Sequence, residues 1–396
     1  MTPLLTEPGR VTRESLAEYR EAGGYRGLAE ARARVDGRAW VLGQVRRAGL
    51  RGRGGSGEGR PVAATWARVA RATSPVRYVI ANGAETSPAS RKDRHLLSLY
   101  PHRVLEGLLI AAHAVGAAEV FLYIRNDADE ALASAEAALG EARAAGLLEG
   151  VAVRVQPAAP SAVVGEASAV VDALEGLEGL PQPKSAPLES IGLRGEPTVV
   201  TNVETLAAAA GVLRLGPEQF LAQGVADCPG TALFTVSGDV AAPGVYEVAY
   251  GTPLRELLRM AGAPPAGELL AVLPGGLGSG PLRPDELDVR LTYEALIEIG
   301  SSLGPAAVVV IALDRTTLPN LAAETSAYLA AGSCGQCNGC RESLGQVAQA
   351  FGAGDPGRAR QWAEVALYGR GNCAHPTGAA RFALRLLQAF PEVWSK

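Results

Sequence analysis

The sequence predicts an α/β protein with three successive parts: a doubly wound parallel sheet, a small β-grasp-like domain and a C-terminal helical bundle. Three observations carry this reading. Short apolar strands alternate with longer amphipathic stretches from about residue 78 to residue 155, the order that builds a parallel sheet. A hairpin pattern then replaces that alternation near Thr231. Finally, four of the chain's five cysteines fall beyond residue 330, in a stretch that reads as helix with Gly and Pro breaks.

Residues 12–48 place apolar side chains at helical spacing (Leu16 and Tyr19; Leu28, Ala31 and Val35; Trp40, Val41 and Val45), and Gly23-Gly24 divides them into two helices. Leu50–Gly59, LRGRGGSGEG, is half glycine. An apolar strand, Tyr78–Ala81, runs into Asn82-Gly83-Ala84-Glu85, and a helical pattern follows over Pro101–Ala117. EVFLYI (119–124) is a second buried strand, 128–146 an Ala/Glu-rich helix and Val151–Val155 a third strand. Residues 181–197 carry four prolines and read as a loop, after which a helix restarts at Val203. Cys228-Pro229-Gly230 marks a boundary. Strands ALFTVSG and VYEVAY flank a turn, a helix begins at Pro253, and 271–273 and 306–313 are further strand signals. The division expected is 1–227, 228–315 and 316–396.

Composition is ordinary for a globular chain of 396 residues, with 47% hydrophobic and 20% charged residues. A net charge of −4 gives no electrostatic case for nucleic acid or an anionic membrane. The N-terminus lacks a basic region followed by an apolar run. The longest apolar region, Leu105–Ile124, is interrupted by Glu106, His113 and Glu119, which argues against direct membrane insertion. Clustered cysteines fit a reducing, cytoplasmic setting where thiolates remain available to metal.

Cys334, Cys337 and Cys340 stand in a CxxCxxC run, and Cys373 lies well beyond it. That spacing wraps a cubane iron–sulfur cluster, three thiolates coming from one loop and the fourth from a distance. Zinc or reduced structural thiols are the alternatives, although zinc sites favour paired CxxC or Cys/His knuckles. An odd cysteine count argues against a disulfide framework. Gly52-Arg53-Gly54-Gly55-Ser56-Gly57 has the composition of a backbone nest for a phosphate, with Arg51 and Arg53 adding charge. A flexible surface loop is the other reading, since neither the dinucleotide fingerprint nor the Walker pattern is matched. Asn82 and Glu85 follow a buried strand, where open α/β sheets bind ligands, and Gly165-Glu166 has the same status. Thr201-Asn202, with Thr205, reads either as a ligand contact or as a helix cap. His113 reads as a core histidine. His375 stands close to Cys373, and Cys228 is expected to hold no metal.

Taken together these segments resemble the 51-kDa-type flavoprotein of NADH dehydrogenase, complex I, and its relatives in NAD-linked hydrogenases and formate dehydrogenases. The blocks are LRGRGGSG (50–57), YVIANGAETSPASRKDRHLL (78–97), PHRVLEGLLIAAHAVGA (101–117), GE (165–166), GEPTVVTNVETLA (195–207), GDVAAPGVYEV (238–248) and SCGQCNGCRE (333–342) with Cys373. The resemblance implies FMN in the first domain, contacted by Gly52, Arg53, Gly54, Gly55, Asn82, Glu85, Gly165, Glu166, Thr201, Asn202 and Thr205. It implies a β-grasp-like domain of the soluble ligand-binding type next, and a [4Fe–4S] cluster on the four cysteines. It also implies NAD(H) as donor and other redox subunits as partners, including a [2Fe–2S] thioredoxin-like one. No side chain need act as acid or base, because hydride passes directly.

The chain departs from the family pattern mostly in the pocket for NADH. Arg60 stands at the position of an aromatic that stacks on NADH, and Thr65 at that of a lysine near the FMN phosphate. Ala84 and Ser87 replace two carboxylates, Ala167 replaces the second glutamate of a Gly-Glu-Glu triplet, and Pro187 a phenylalanine. Thr201 stands for the first asparagine of a pair. The expectation is an FMN/[4Fe–4S] oxidoreductase subunit taking electrons from NAD(P)H or a substitute donor; the alternative is a non-catalytic relay or assembly scaffold.

Overall fold

The computed structural model describes residues 4–55, 59–369 and 371–394. Ser56, Gly57 and Glu58 of the glycine-rich stretch lie outside the described residues.

Four short helices open the chain: α1 (Leu16–Glu21), α2 (Arg26–Ala33), α3 (Gly37–Arg47) and α4 (Val62–Ala70). Where two were expected before Leu50, three form. The second break, at Arg34–Asp36, has neither Gly nor Pro; Arg34 simply turns to extended backbone. Then follow β1 (Tyr78–Gly83), α5 (Lys92–Leu99), α6 (Pro101–Val115), β2 (Glu119–Arg125), α7 (Asp129–Ala144), β3 (Ala152–Ala158), α8 (Ala167–Leu174), β4 (Thr198–Asn202), α9 (Val203–Leu215) and α10 (Pro217–Leu221). The sheet is parallel, in the order β3-β2-β1-β4.

Successive strand residues point to opposite faces, and both faces are covered. Val79, Ala81, Val120, Leu122 and Ile124 enter a large core shared with α6 and α9. Tyr78, Ile80, Phe121 and Tyr123 enter a smaller one closed by Val170 and Val171 of α8 and by Leu193. The two central helices cross closely at Gly107, where a Cβ would lie 2.0 Å from the Leu206 carbonyl oxygen. Strand β4 was not expected. It is short and follows the proline-rich loop, and its polar end also serves as the α9 cap.

The second part begins with a two-residue pairing of β5 (Gly224–Val225) with β6 (Cys228–Pro229). It continues through β7 (Thr231–Gly238), β8 (Gly244–Ala249), α11 (Leu254–Met260), β9 (Leu269–Leu273), α12 (Tyr293–Glu298) and β10 (Ala307–Ala312). The order β8-β7-β10-β9, with β7 and β10 parallel and the outer pairs antiparallel, is a β-grasp arrangement.

The third part comprises α13 (Leu318–Ala331), a π-helical turn over Gly339–Leu344, α14 (Gly345–Gly352), α15 (Pro356–Tyr368), α16 (His375–Ala389) and α17 (Pro391–Trp394). Thr317 and Asp355 cap α13 and α15 through their side-chain oxygens. Alanines at 322, 363, 366, 380 and 383 let these helices pack closely around Phe382 and Leu386, and Ala271, Leu273 and Ile311 of the β-grasp sheet join that core. Among the described residues no helix is long and apolar enough to cross a membrane.

Candidate active site at the strand ends and the cysteine loop

The residues that flank the undescribed segment 56–58 pair as the two arms of a small hairpin. Arg51 bridges Pro61, the Gly52 N–H donates to the Arg60 carbonyl (2.9 Å) and the Val62 N–H to that of Leu50 (3.0 Å). Gly54 and Gly55 rest against the carboxyl end of β4 and the β-grasp domain. A Cβ on Gly54 would stand 3.3 Å from that of Asn202, and one on Gly55 3.1 Å from the Pro305 nitrogen. A side chain at either position would have to push its neighbour back by a few tenths of an ångström. The Arg53 N–H donates to Thr205 Oγ1 at 2.9 Å.

The Arg53 guanidinium, expected to add charge at the loop, turns away from it. It is buried at the junction of the first two parts, donating to the Thr231 carbonyl (2.8 Å) and lying 3.3 Å from Glu204. The Phe220 and Tyr250 rings flank it. Arg51 likewise fastens the hairpin, through the carbonyls of Gly59 and Asp227 and the Glu294 carboxylate.

Asn82, Gly165 and Asn202 meet at the ends of the strands. Asn82 Nδ2 donates to the Gly165 carbonyl (2.8 Å) and Asn202 Nδ2 to the Asn82 carbonyl (3.3 Å). Asn202 also donates to Asp93 (2.7 Å), while its Oδ1 accepts from the Glu204 N–H (3.0 Å) and from Lys92 (3.2 Å). It is thus both the α9 cap and part of a buried polar cluster. Thr201 is half-buried and pairs with Ala81 across the sheet.

Lys92 and Asp93 lie in the block 78–97 and Glu204 in 195–207, and none stands among the site residues expected from the sequence, yet they organise this region. Lys92 Nζ contacts Asp93 at 2.7 Å and Glu204 at 3.0 Å, with every partner buried. Burial opposes its charge, but the carboxylates of Asp93, Glu204 and Glu85 outweigh that and hold its pKa above the usual range. Glu85 accepts from Ser90 Oγ (2.5 Å) and from the Asp93 N–H (3.3 Å). Burial, reinforced by Asp93, raises its pKa to about 6. The available sequence signal was the adjacent Lys-Asp at the start of a helix, which ordinarily faces water.

Glu166 turns back on its own helix, capping α8 by accepting from the N–H groups of Ser168 (2.8 Å) and Ala169 (3.2 Å). Its charge also reaches Cys373, so the wall of the strand-end site adjoins the cysteines.

Cys334 and Cys337 lie on the loop after α13, Cys340 in the π-helical turn that follows, and Cys373 two residues before α16. All four are free thiols. Cys337, Cys340 and Cys373 are buried, and burial raises the pKa of Cys340 to about 12 and of Cys373 to about 11, with the neighbouring thiols adding to both shifts. Among the described residues no three His, Cys, Asp or Glu side chains converge as single-ion ligands would. The donor set, three thiols from one loop and one from another, fits an iron–sulfur cube. His375 binds the Leu329 carbonyl (2.7 Å), locking α16 to α13, and Asn372 donates to the Pro181 carbonyl of the first domain (3.0 Å). Cys228 is fully buried beside Arg51 and Arg53, apart from the other four. His113, on α6, is only partly buried, with Nε2 enclosed and unbonded.

Comparison with known proteins agrees with this layout. Residues 45–210 match the Nuo51 FMN-binding domain, 233–273 the SLBB domain and 320–396 the NADH-ubiquinone oxidoreductase-F iron-sulfur binding region. The second-numbered F component of NADH-quinone oxidoreductase in Rhizobium meliloti is 34% identical over 395 residues, covering 94% of this chain and 93% of that one. The F component of the Streptomyces coelicolor enzyme is 33% identical over 399 residues (96% and 88%). Among solved structures, an NAD+-reducing [NiFe]-hydrogenase in the air-oxidized state superimposes with a TM-score of 0.82 at 32% identity, covering 90% of this chain and 62% of that one. Its H2-reduced form gives 0.85 at 31% identity (96% and 66%). This chain therefore spans less than two thirds of the hydrogenase chains it resembles.

A parallel-sheet FMN-binding domain, an SLBB domain and a four-cysteine helical end define a flavin and iron–sulfur oxidoreductase component. The chain belongs to the 51-kDa flavoprotein family of complex I, the F component of NADH-quinone oxidoreductase.

Proposed function

We propose that the chain is the electron-entry subunit of a larger assembly, taking electrons from a nicotinamide dinucleotide and passing them through its [4Fe–4S] cluster to a partner. The observation that carries this reading is the adjacency of two sites. The glycine hairpin closes on the carboxyl end of β4, whose Asn202 bonds the end of β1, and on the same side Glu166 and the Asn372–Pro181 hydrogen bond bring the cysteine loop near. FMN, when bound, supplies the conversion from the two electrons of a nicotinamide to the single electrons a cluster accepts.

In this reading Gly52, the Arg53 backbone, Gly54 and Gly55 present amides to the flavin phosphate. Asn82, Gly165, Thr201 and Asn202 form the wall at the strand ends, with Thr205 fastening the hairpin and Glu85 behind. Glu166 would contact the flavin from the side on which Cys373 lies. Cys334, Cys337, Cys340 and Cys373 hold the iron. The acceptor is a further iron–sulfur subunit, a [2Fe–2S] thioredoxin-like protein among the partners, and the assembly works on the cytoplasmic side of a membrane or free of it.

Anaerobically purified protein tests the reading by its visible spectrum. A flavin band bleached by NADH or NADPH, followed by reduction of the cluster, is the expected result. A cluster signal with no pyridine-nucleotide reduction at saturating donor would instead identify a relay that receives electrons from a partner, as the substitutions at Arg60, Ala84 and Ala167 would then explain.

A further inference from the structure

Arg53 stands beside the glycines, yet its side chain grips the protein. That side chain is 2% exposed. Its guanidinium donates to the Thr231 carbonyl at the start of β7 (2.8 Å) and to the Arg51 carbonyl of its own arm (3.4 Å). Glu204 supplies the counter-charge, 3.3 Å from Nε, as an ion pair without hydrogen-bond geometry.

The backbone at Arg53 is fixed from two further sides. The Gly52 carbonyl accepts from the Tyr293 hydroxyl of α12 (2.8 Å), and the Arg53 N–H donates to Thr205 of α9 (2.9 Å). The peptide that links Gly52 to Arg53 is thus bonded within the protein at both its carbonyl and its N–H. Gly54 and Gly55 follow it directly, and both are exposed. Two successive glycines have the widest backbone freedom of any pair, and ordering them around an anion costs conformational entropy. An arm already held in place lowers that cost.

Glu204 joins this arm to the wall at the strand ends. Its other oxygen lies 3.0 Å from Lys92, which donates to Asn202 (3.2 Å), and the carboxylate also accepts from the Leu233 N–H of β7 (3.0 Å). One buried carboxylate therefore stands between two buried cations, one behind the glycines and one behind Asn202.

We propose that Arg53 is a positioning residue for the flavin phosphate: held by Glu204 and the Thr231 carbonyl, it fixes the arm that directs Gly54 and Gly55, and so gives the site its preference for FMN over unphosphorylated riboflavin. It acts through the backbone and touches no ligand itself. This role rests on the reading that the hairpin holds the phosphate. Because Thr231 and Tyr293 belong to the β-grasp domain, the preference depends on how that domain is seated on the first.

Equilibrium dialysis of the flavin-free, cluster-loaded chain against FMN and, separately, riboflavin tests this without reading electron transfer. The wild type is expected to favour FMN. Arg53→Met and the charge-balanced Arg53→Met/Glu204→Gln are expected to lower the FMN-to-riboflavin affinity ratio about tenfold, the loss of one hydrogen bond to a charged group. Arg53→Lys, which keeps the charge but not the fork, restores it in part. Tyr293→Phe, which keeps the ring and releases the Gly52 carbonyl, lowers the ratio in the same direction and answers the question should the Arg53 variants fail to fold. Leu386→Ala, a truncation in the core of the third part, lowers stability and leaves the ratio unchanged. An unchanged ratio in the Arg53 and Tyr293 variants would overturn the positioning role, as would an equal fall in Leu386→Ala. A wild type that binds the two flavins equally would overturn the phosphate reading of the hairpin as well.

Discussion

Lys92 Nζ lies 3.0 Å from Glu204 Oε2, with the two side chains only 2% and 1% exposed. This pair joins α5 to α9 beneath the strand ends, and through Glu204 it reaches Arg53 and the glycine hairpin. Removing one partner leaves the other charge buried and uncompensated, which costs about 3–5 kcal/mol. Lys92→Met is therefore expected to lose stability on that scale in chemical denaturation, whereas Lys184→Met, at an exposed lysine, changes it little. Equal denaturation midpoints for the two variants would refute the structural role assigned to Lys92.

Glu85 gives the protein a distinct acid response. Its folded pKa, about 6, lies above the ordinary value of 4.5 because burial and Asp93 disfavour its charge. A raised carboxyl pKa means that the folded state holds more protons than the unfolded chain between those two values. Its stabilising contribution is thus complete below about 4.5 and is lost as pH rises through about 6. Glu85→Gln is expected to remove that downward slope. The difference in unfolding free energy between wild type and variant should change by about 2 kcal/mol across the window, and a flat difference would show that Glu85 titrates normally.

The cysteines are expected to separate into two groups when iron is measured in their variants. Serine at Cys334, Cys337, Cys340 or Cys373 is expected to reduce iron and acid-labile sulfide per chain and to abolish the cluster's electron paramagnetic resonance signal on reduction. Cys228→Ser should keep both. Iron loss in the Cys228 variant, or retention of a full cluster by any of the other four, would reassign the ligands.

Asn202 caps α9 and also stands in the strand-end wall. Asn202→Ala removes the cap, which costs about 1 kcal/mol, and is expected to lower the FMN released per chain on denaturation. Glu166→Ala removes the α8 cap at similar cost. If both variants retained stoichiometric flavin, the flavin would have to be held by backbone alone.

Much of this architecture was legible because its signals are local. Apolar runs such as Val79–Ala81 and EVFLYI announce buried strands, and CxxCxxC places three thiols on one loop. Asn82 was found because a polar residue ending a buried strand has a defined place in a parallel sheet, and Asn202 because it stands just before a helix. What escaped was set by distant partners. The strand Thr198–Asn202 is too short to show a period, and it becomes a strand because β1 offers it an edge. The buried positions of Lys92, Asp93 and Glu204 follow from one another's charges, a relation spread over more than a hundred residues that no window contains. Arg53 seemed a natural phosphate ligand beside glycines, but Glu204 and the Thr231 carbonyl draw it inward.

The loop that carries Cys373 is tied to the first domain by the Asn372 side chain on the Pro181 carbonyl. A hydrogen bond of about 1 kcal/mol thus couples the remote thiol to the flavin domain: a shift of the proline-rich loop is felt at the one of the four cysteines that lies outside the CxxCxxC run.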